Sequence, residues 1–155
     1  MAGTDLSERF DRRVADRMLA TNDAAVGLST LLGMRLDRFD AGYLRASFEV
    51  RPELLTPFGN LHGGAIAALV DHVLGCVLYP HMGKGQWAAT TEFKLNYLNP
   101  VSDGTVVAEA RIVNLTRRSA VVRIDVENSQ RPVAAAQGTV TIVDPKPRAE
   151  PPPRK

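Results

Sequence analysis

One segment constrains this fold more than any other. From about Leu61 to Tyr79 the chain is nearly unbroken Ala, Val, Leu, Ile and Gly, and Pro80 and Gly83 close it. That length and composition predict a helix rather than a strand. A helix apolar on nearly every face belongs inside a protein. With only nine aromatic residues in the chain, the core around it must be built mainly from Ala, Val, Leu and Ile.

On either side the pattern turns to alternation. Over Met34 to Val50, Leu44, Ala46, Phe48 and Val50 face one way and Tyr43, Arg45, Ser47 and Glu49 the other, with Asp40-Ala41-Gly42 as a turn. Residues 51–60 form a loop with two prolines and a glycine. Four β-type runs follow the helix. Trp87 to Leu98 places Trp87, Ala89, Thr91, Phe93, Leu95 and Tyr97 on one face; Thr105–Leu115, Ala120–Asn128 and Pro132–Val143 come after it, with Arg117-Arg118-Ser119 as a hairpin tip. Ahead of all this, residues 6–20 carry Leu6, Phe10, Val14, Met18 and Leu19 at amphipathic helical spacing, and a second helix is expected over Asp23–Leu32, ending at Gly33.

Helices and strands do not alternate, which argues against a doubly wound parallel sheet. The expected class is α+β: a six-stranded, mostly antiparallel sheet wrapped around one long buried helix. The expected organisation is an N-terminal helical extension over 1–33, one domain over 34–143, and a disordered, Pro-rich basic tail over 144–155. A single sheet curled on one helix leaves a face or an edge uncovered, which calls for a second subunit.

Charge narrows the partners. Residues 1–143 balance at 15 basic against 15 acidic groups, so the excess of +2 lies in the tail. A neutral body argues against nucleic acid as a partner. A single cysteine, Cys76, excludes an internal disulfide framework. No apolar run is expected to span a bilayer, and the N-terminus lacks a signal-peptide stretch. The expected location is cytoplasmic, with no membrane partner.

The chemistry concentrates in Gly59 to His72. Asp71 shares a helical face with Ala67, Ala68, Leu74 and Gly75. A carboxylate buried there is costly unless it is bonded or has a task, and desolvation would raise its pKa toward that of a general base. Gly63-Gly64 falls where the loop becomes the helix, and the first N–H groups of a helix lack internal partners. Glycines let a ligand oxygen approach those groups, which suits an oxyanion site. His62, beside them, can donate to the same oxygen. His62, His72 and His81 lack metal-ligand spacing, and no metal or cofactor is expected. Cys76 reads as packing.

His62 and Asp71 are nine residues apart, about 14 Å of rise and roughly 180° of rotation on a helix. One chain cannot bring both to one atom. If both act, Gly63 of one subunit must meet Asp71 of another, as a symmetric dimer allows.

The stretch Asn60-Leu-His-Gly-Gly-Ala-Ile-Ala-Ala-Leu-Val-Asp71 resembles the helix signature of hotdog-fold acyl-CoA thioesterases, most nearly the phenylacetic-acid-degradation and human thioesterase-superfamily group. Leu32-Gly33-Met34 and the strand from Thr90 to Tyr97-Leu98-Asn99-Pro100 extend the likeness over about residues 30–143. The resemblance implies a hotdog fold, dimers or dimer-of-dimers tetramers, and cofactor-free hydrolysis of acyl thioesters. It implies Asp71 as the catalytic acid, which activates water or attacks directly, Gly63 as the oxyanion donor and His62 as its neighbour orienting the carbonyl. Thr90, from the same subunit as Asp71, would position the carboxylate or water. Related enzymes often carry Asn six residues before the His; here that position is Thr56, whose hydroxyl can still hold a water, while Asn60, nearby but out of register, and Gly64 are expected to bind substrate. Arg117 and Arg118, or Lys94, are candidates for the phosphates of coenzyme A. Other readings are an acyl-binding protein without catalysis, an acyl-carrier-protein thioesterase, and a hotdog dehydratase. The last wants a carboxylate and a His within reach in one site.

Overall fold

The computed structural model describes residues 5–22 and 26–145. Six strands form one sheet in the order β1-β2-β4-β5-β6-β3, with every neighbouring pair antiparallel. They are β1 (Arg35–Asp40), β2 (Tyr43–Glu49), β3 (Trp87–Tyr97), β4 (Thr105–Leu115), β5 (Ser119–Asn128) and β6 (Arg131–Val143). Among the described residues three α-helices accompany them: α1 (Arg12–Ala20), α2 (Leu28–Leu32) and α3 (Gly63–Cys76). Alternating residues of β2, β4, β5 and β6 fill the concave side, and Leu69, Val70, Val73 and Leu74 of α3 press into them with no exposure. Gly138 on β6 permits that contact. A Cβ there would stand 2.7 Å from the Phe93 Cβ and 2.9 Å from the Leu74 Cδ2.

Several expectations need correction. The first helix starts at Arg12, capped by the Asp11 carboxylate on the Arg13 N–H at 2.9 Å, and Leu6 and Phe10 lie in the segment before it. The second is one short turn, Leu28–Leu32, ended by Gly33 in the left-handed region. Part of its expected N-terminal half, 23–25, lies outside the described residues, as does the expected tail beyond Pro145. The long helix is α3 followed by a 3₁₀ turn at Tyr79–His81. Contrary to the expectation about membrane spans, Gly63–His81 is long and apolar enough to cross a membrane, at 19 residues and mean hydropathy 1.4. Its apolar side is packed under the sheet instead.

The segment before β1 closes one end of the molecule. The Asn22 amide donates to the Leu36 carbonyl and accepts from the Leu36 N–H, both at 2.8 Å, imitating a neighbouring strand. The Arg12 guanidinium donates to the Phe39 carbonyl at 3.1 Å. His81, only 4% exposed, accepts the Gly42 N–H on Nε2 at 3.0 Å and packs against the Phe10 ring. Its proton therefore sits on Nδ1, which is buried without a hydrogen-bond partner. Burial, with the Arg9 charge nearby, pushes the His81 pKa down to about 4.

At the other edge, β3 pairs only with β6, and among the described residues nothing bonds its outer side.

Candidate active site

α3 begins where the chain leaves a tightly tied loop. Thr56 donates its N–H to the Asn60 carbonyl at 2.7 Å, and Leu61 and His62 donate theirs to Val101 and Leu54 at 2.7 and 2.8 Å. These bonds fix the helix start against the loop after β3 and the turn at Pro52–Leu54. His62 is the N-cap, and its Nδ1 accepts the Gly64 N–H at 2.9 Å. In the neutral ring this leaves the proton on Nε2, the nitrogen free to donate outward. The Ala65 N–H bonds back to the His62 carbonyl at 2.9 Å. The N–H of Gly63 is the exception: among the described residues it has no acceptor. It points out from the positive end of a 14-residue helix.

Two clefts open at this helix start. One, of about 360 Å³, lies between Asn60, Gly63 and Ile66 on one side and Tyr97, Leu98 and Asn99 on the other. The second, of about 330 Å³, is lined mostly by Leu28, Leu32, Leu54, Leu55, Ala65 and Ala68, with His62 at its edge.

Asp71 is not buried, contrary to the sequence expectation. α3 packs through one side only, and Gly64 and Asp71 lie exposed on the other, with Ala67, Ala68 and Gly75 half-exposed around them. The small residues that read as apolar surroundings leave the carboxylate open instead of covering it. Its charge is felt by His72 and Cys76. Burial lowers the His72 pKa, with Asp71 opposing, while burial and then Asp71 push the Cys76 thiol up to about 12. A thiol held protonated is no nucleophile.

Thr90 needs a second correction, this time of phase. A bulge at Thr91 interrupts the β3–β6 ladder, with Thr90 opposite Val140 and Glu92 opposite Thr139. Val140 faces the core, so Ala88 and Thr90 share the helix-facing side with Phe93 and Leu95, and Trp87, Ala89 and Thr91 do not. The Thr91 hydroxyl meets that of Thr141 on the outer face at 2.9 Å. β3 runs antiparallel to α3. Tyr97 reaches Gly63, its hydroxyl donating to the Gly63 carbonyl at 2.9 Å, and Ala88 lies beside Gly75.

The remaining residues are placed as follows. The Thr56 hydroxyl accepts the Phe58 N–H at 3.3 Å within the loop, which leaves Phe58 90% exposed. Asn60 lines the first cleft and Gly64 the second. Arg117 and Arg118 are exposed on the β4–β5 hairpin tip, at the Thr90 end of the sheet and away from Gly63. Lys94 lies opposite Gln137, on the outer face. Within one chain, then, Gly63, Gly64, His62, Asn60 and Tyr97 gather at one end of α3, and Asp71 and Thr90 lie toward the other. Among the described residues no group of three or more His, Cys, Asp or Glu is arranged to hold a metal ion.

Residues 58–135, from the loop tip through α3 into β6, match the thioesterase superfamily. The chain belongs to that superfamily. As a thioesterase it is a thioester hydrolase with the hotdog fold. The proofreading thioesterase EntH of Klebsiella pneumoniae is 38% identical over 88 residues, which are 57% of this chain and 64% of that protein. A variant of the thioesterase PA1618 from Pseudomonas aeruginosa has a similar structure, with a TM-score of 0.76 at 29% identity over 81% of this chain and 93% of that one. A variant of the phenylacetic acid degradation protein PaaI from Thermus thermophilus gives 0.67 at 29% identity, over 73% and 96%.

One residue at this candidate site had no role assigned from sequence. Tyr97 entered only as the end of the strand that extends the family likeness, because its contact with Gly63 depends on how β3 lies along α3.

Proposed function

We propose that this thioesterase hydrolyses acyl-CoA with a water activated by Asp71, at a site shared between two copies of the chain. The observation that carries this is the unpartnered Gly63 N–H at the positive end of α3. Such a donor matches the oxygen of a thioester carbonyl as it gains charge. The His62 Nε2–H is placed to donate beside it.

Asp71 takes a proton from water as the water oxygen bonds to the carbonyl carbon. The oxyanion is held by Gly63 and His62. Its collapse breaks the C–S bond, and the departing thiolate takes the proton, giving a carboxylic acid and free coenzyme A. Thr90 orients the carboxylate or the water, and the Thr56 hydroxyl is available to hold a water. The apolar cleft beside His62 supplies a wall for the acyl chain. Arg117 and Arg118 offer charge to the coenzyme A phosphates.

The dimer follows from the same geometry. Asp71 is too far along α3 to reach Gly63 of its own chain. α3 and β3 run antiparallel, and the outer edge of β3 is open. Two copies joined antiparallel along β3 would set the Gly63 end of each against the Asp71 and Thr90 end of the other. Two sites result per pair.

Thiol release is the test, across short, long, branched and aromatic acyl-CoAs, with Asp71→Ala beside the wild type. Loss of turnover by about 10²–10⁴ supports Asp71 as the base. Unchanged turnover removes it from the mechanism. Silence on acyl-CoA with release from acyl-carrier-protein substrates would move the carrier, and silence on both would favour acyl binding without catalysis. A species that sizes as a monomer while active would end the shared site.

A further inference from the structure

We infer that Tyr97 is a positioning residue for the oxyanion site, holding the Gly63–Gly64 peptide from one side while His62 holds it from the other. The inference rests on the proposed role of the Gly63 N–H. Two consecutive glycines at a helix start are the most conformationally free pair the backbone offers. An N–H that must meet a developing charge cannot be left to that freedom, because stabilisation comes from donors already in place. The peptide between Gly63 and Gly64 is clamped at both of its polar ends. Its carbonyl accepts from the Tyr97 hydroxyl at 2.9 Å, and its N–H donates to the His62 Nδ1 at 2.9 Å. The Gly63 N–H belongs to the preceding peptide, whose carbonyl, that of His62, accepts the Ala65 N–H at 2.9 Å. With both planes held, the torsions of Gly63 are set, and so is the direction of its own free N–H.

The ring of Tyr97 acts with its hydroxyl. It lies so close over Gly63 that a Cβ there would stand 3.0 Å from Cζ, 3.1 Å from the hydroxyl oxygen and 3.2 Å from Cε1. That is below ordinary contact distance, so the glycine at 63 and the tyrosine at 97 specify each other. Likewise a Cβ on Gly64 would stand 2.9 Å from the His62 Nδ1. Each glycine is matched to one jaw of the clamp. Tyr97 is half-exposed and its hydroxyl serves no core contact. The bond is therefore poorly explained by stability alone.

Tyr97→Phe separates positioning from packing, because it keeps the ring and removes one bond. The expected result is a kcat lowered about 5- to 20-fold with KM within twofold and an unchanged elution volume. Amide exchange at Gly64 should quicken at least tenfold while the rest of α3 keeps its protection, a readout that needs no substrate. Wild-type kcat in Tyr97→Phe overturns the inference, whether or not Gly64 exchange changes. A rise in KM alone also overturns it, since that reports substrate binding. Asp71→Ala in the same assay keeps the two claims apart. If it is inactive and Tyr97→Phe is fully active, the water-activation reading stands and the clamp falls. If Asp71→Ala is active and Tyr97→Phe is slow, the base is elsewhere and the clamp stands.

Discussion

The β1 side and the β3 side of this molecule are built on opposite principles. At β1 the chain finishes itself: Asn22 covers both polar groups of Leu36, Arg12 covers the Phe39 carbonyl, and His81 and Phe10 fill the gap behind the turn at Gly42. At β3 an edge of 11 residues is left bare, and beside it α3 shows Gly64, Asp71 and the free N–H of Gly63. Polar groups are expensive to leave unsatisfied where water cannot reach them. The chain meets that cost on one side and leaves the other for something else to meet. The proposed division is stability at β1 and reactivity at β3.

Crossed substitutions should break this contrast if it is wrong. Asp71→Asn, on the open side, should lower kcat by about 10²–10⁴ and leave the melting temperature almost unchanged. Leu78→Ala, fully buried on the closed side, should cost about 2–5 kcal/mol of stability in urea unfolding with kcat retained by the folded fraction. A stability loss from the first, or a selective kcat loss from the second, would erase the division.

The next effect is in pH. The His81 pKa of about 4 lies below its ordinary 6.5, so the unfolded chain binds the proton first. The contribution is fully present above pH 6.5 and is lost as pH falls toward 4, with a total of about 3 kcal/mol. Unfolding measured at pH 7 and pH 4.5 should show a steep acid loss in the wild type and a shallower one in His81→Gln. Equal slopes would assign the loss to other groups.

Asn22→Ala should cost about 1–3 kcal/mol, because it strips both bonds from Leu36. Hydrogen exchange should then quicken at Leu36 and not along β3. The smallest effect belongs to Arg117→Ala with Arg118→Ala. These should raise KM for acyl-CoA several-fold at low salt, converge with the wild type at high salt, and leave kcat alone. Unchanged KM at low salt would take the hairpin tip out of substrate binding.

Much of this was legible in the sequence, and the failures have physical causes. The strand runs and the helix appear because periods of 2 and 3.6 are imposed by backbone geometry. The fold class and the gathering of His62, Gly63 and Gly64 at one helix end follow from that. The bulge at Thr91 was invisible because Ala88-Ala89 and Thr90-Thr91 are like pairs that read the same in either phase; only the partner strand reveals the extra residue. Asp71 was misplaced because Ala and Gly count as apolar in a pattern yet bury almost nothing themselves. The Tyr97 bond joins residues 34 positions apart, and no local rule reaches that far.

The cover over β1 also sets a valence. A sheet with two bare edges can add copies at both, and nothing then stops a ribbon from growing. Asn22 and Arg12 occupy one edge from within the chain, so a strand arriving from outside finds a single place to pair. In the proposed pairing along β3, neither copy would have an edge left to offer. One asparagine and one arginine, far from the candidate site, would then limit how many chains a sheet can recruit.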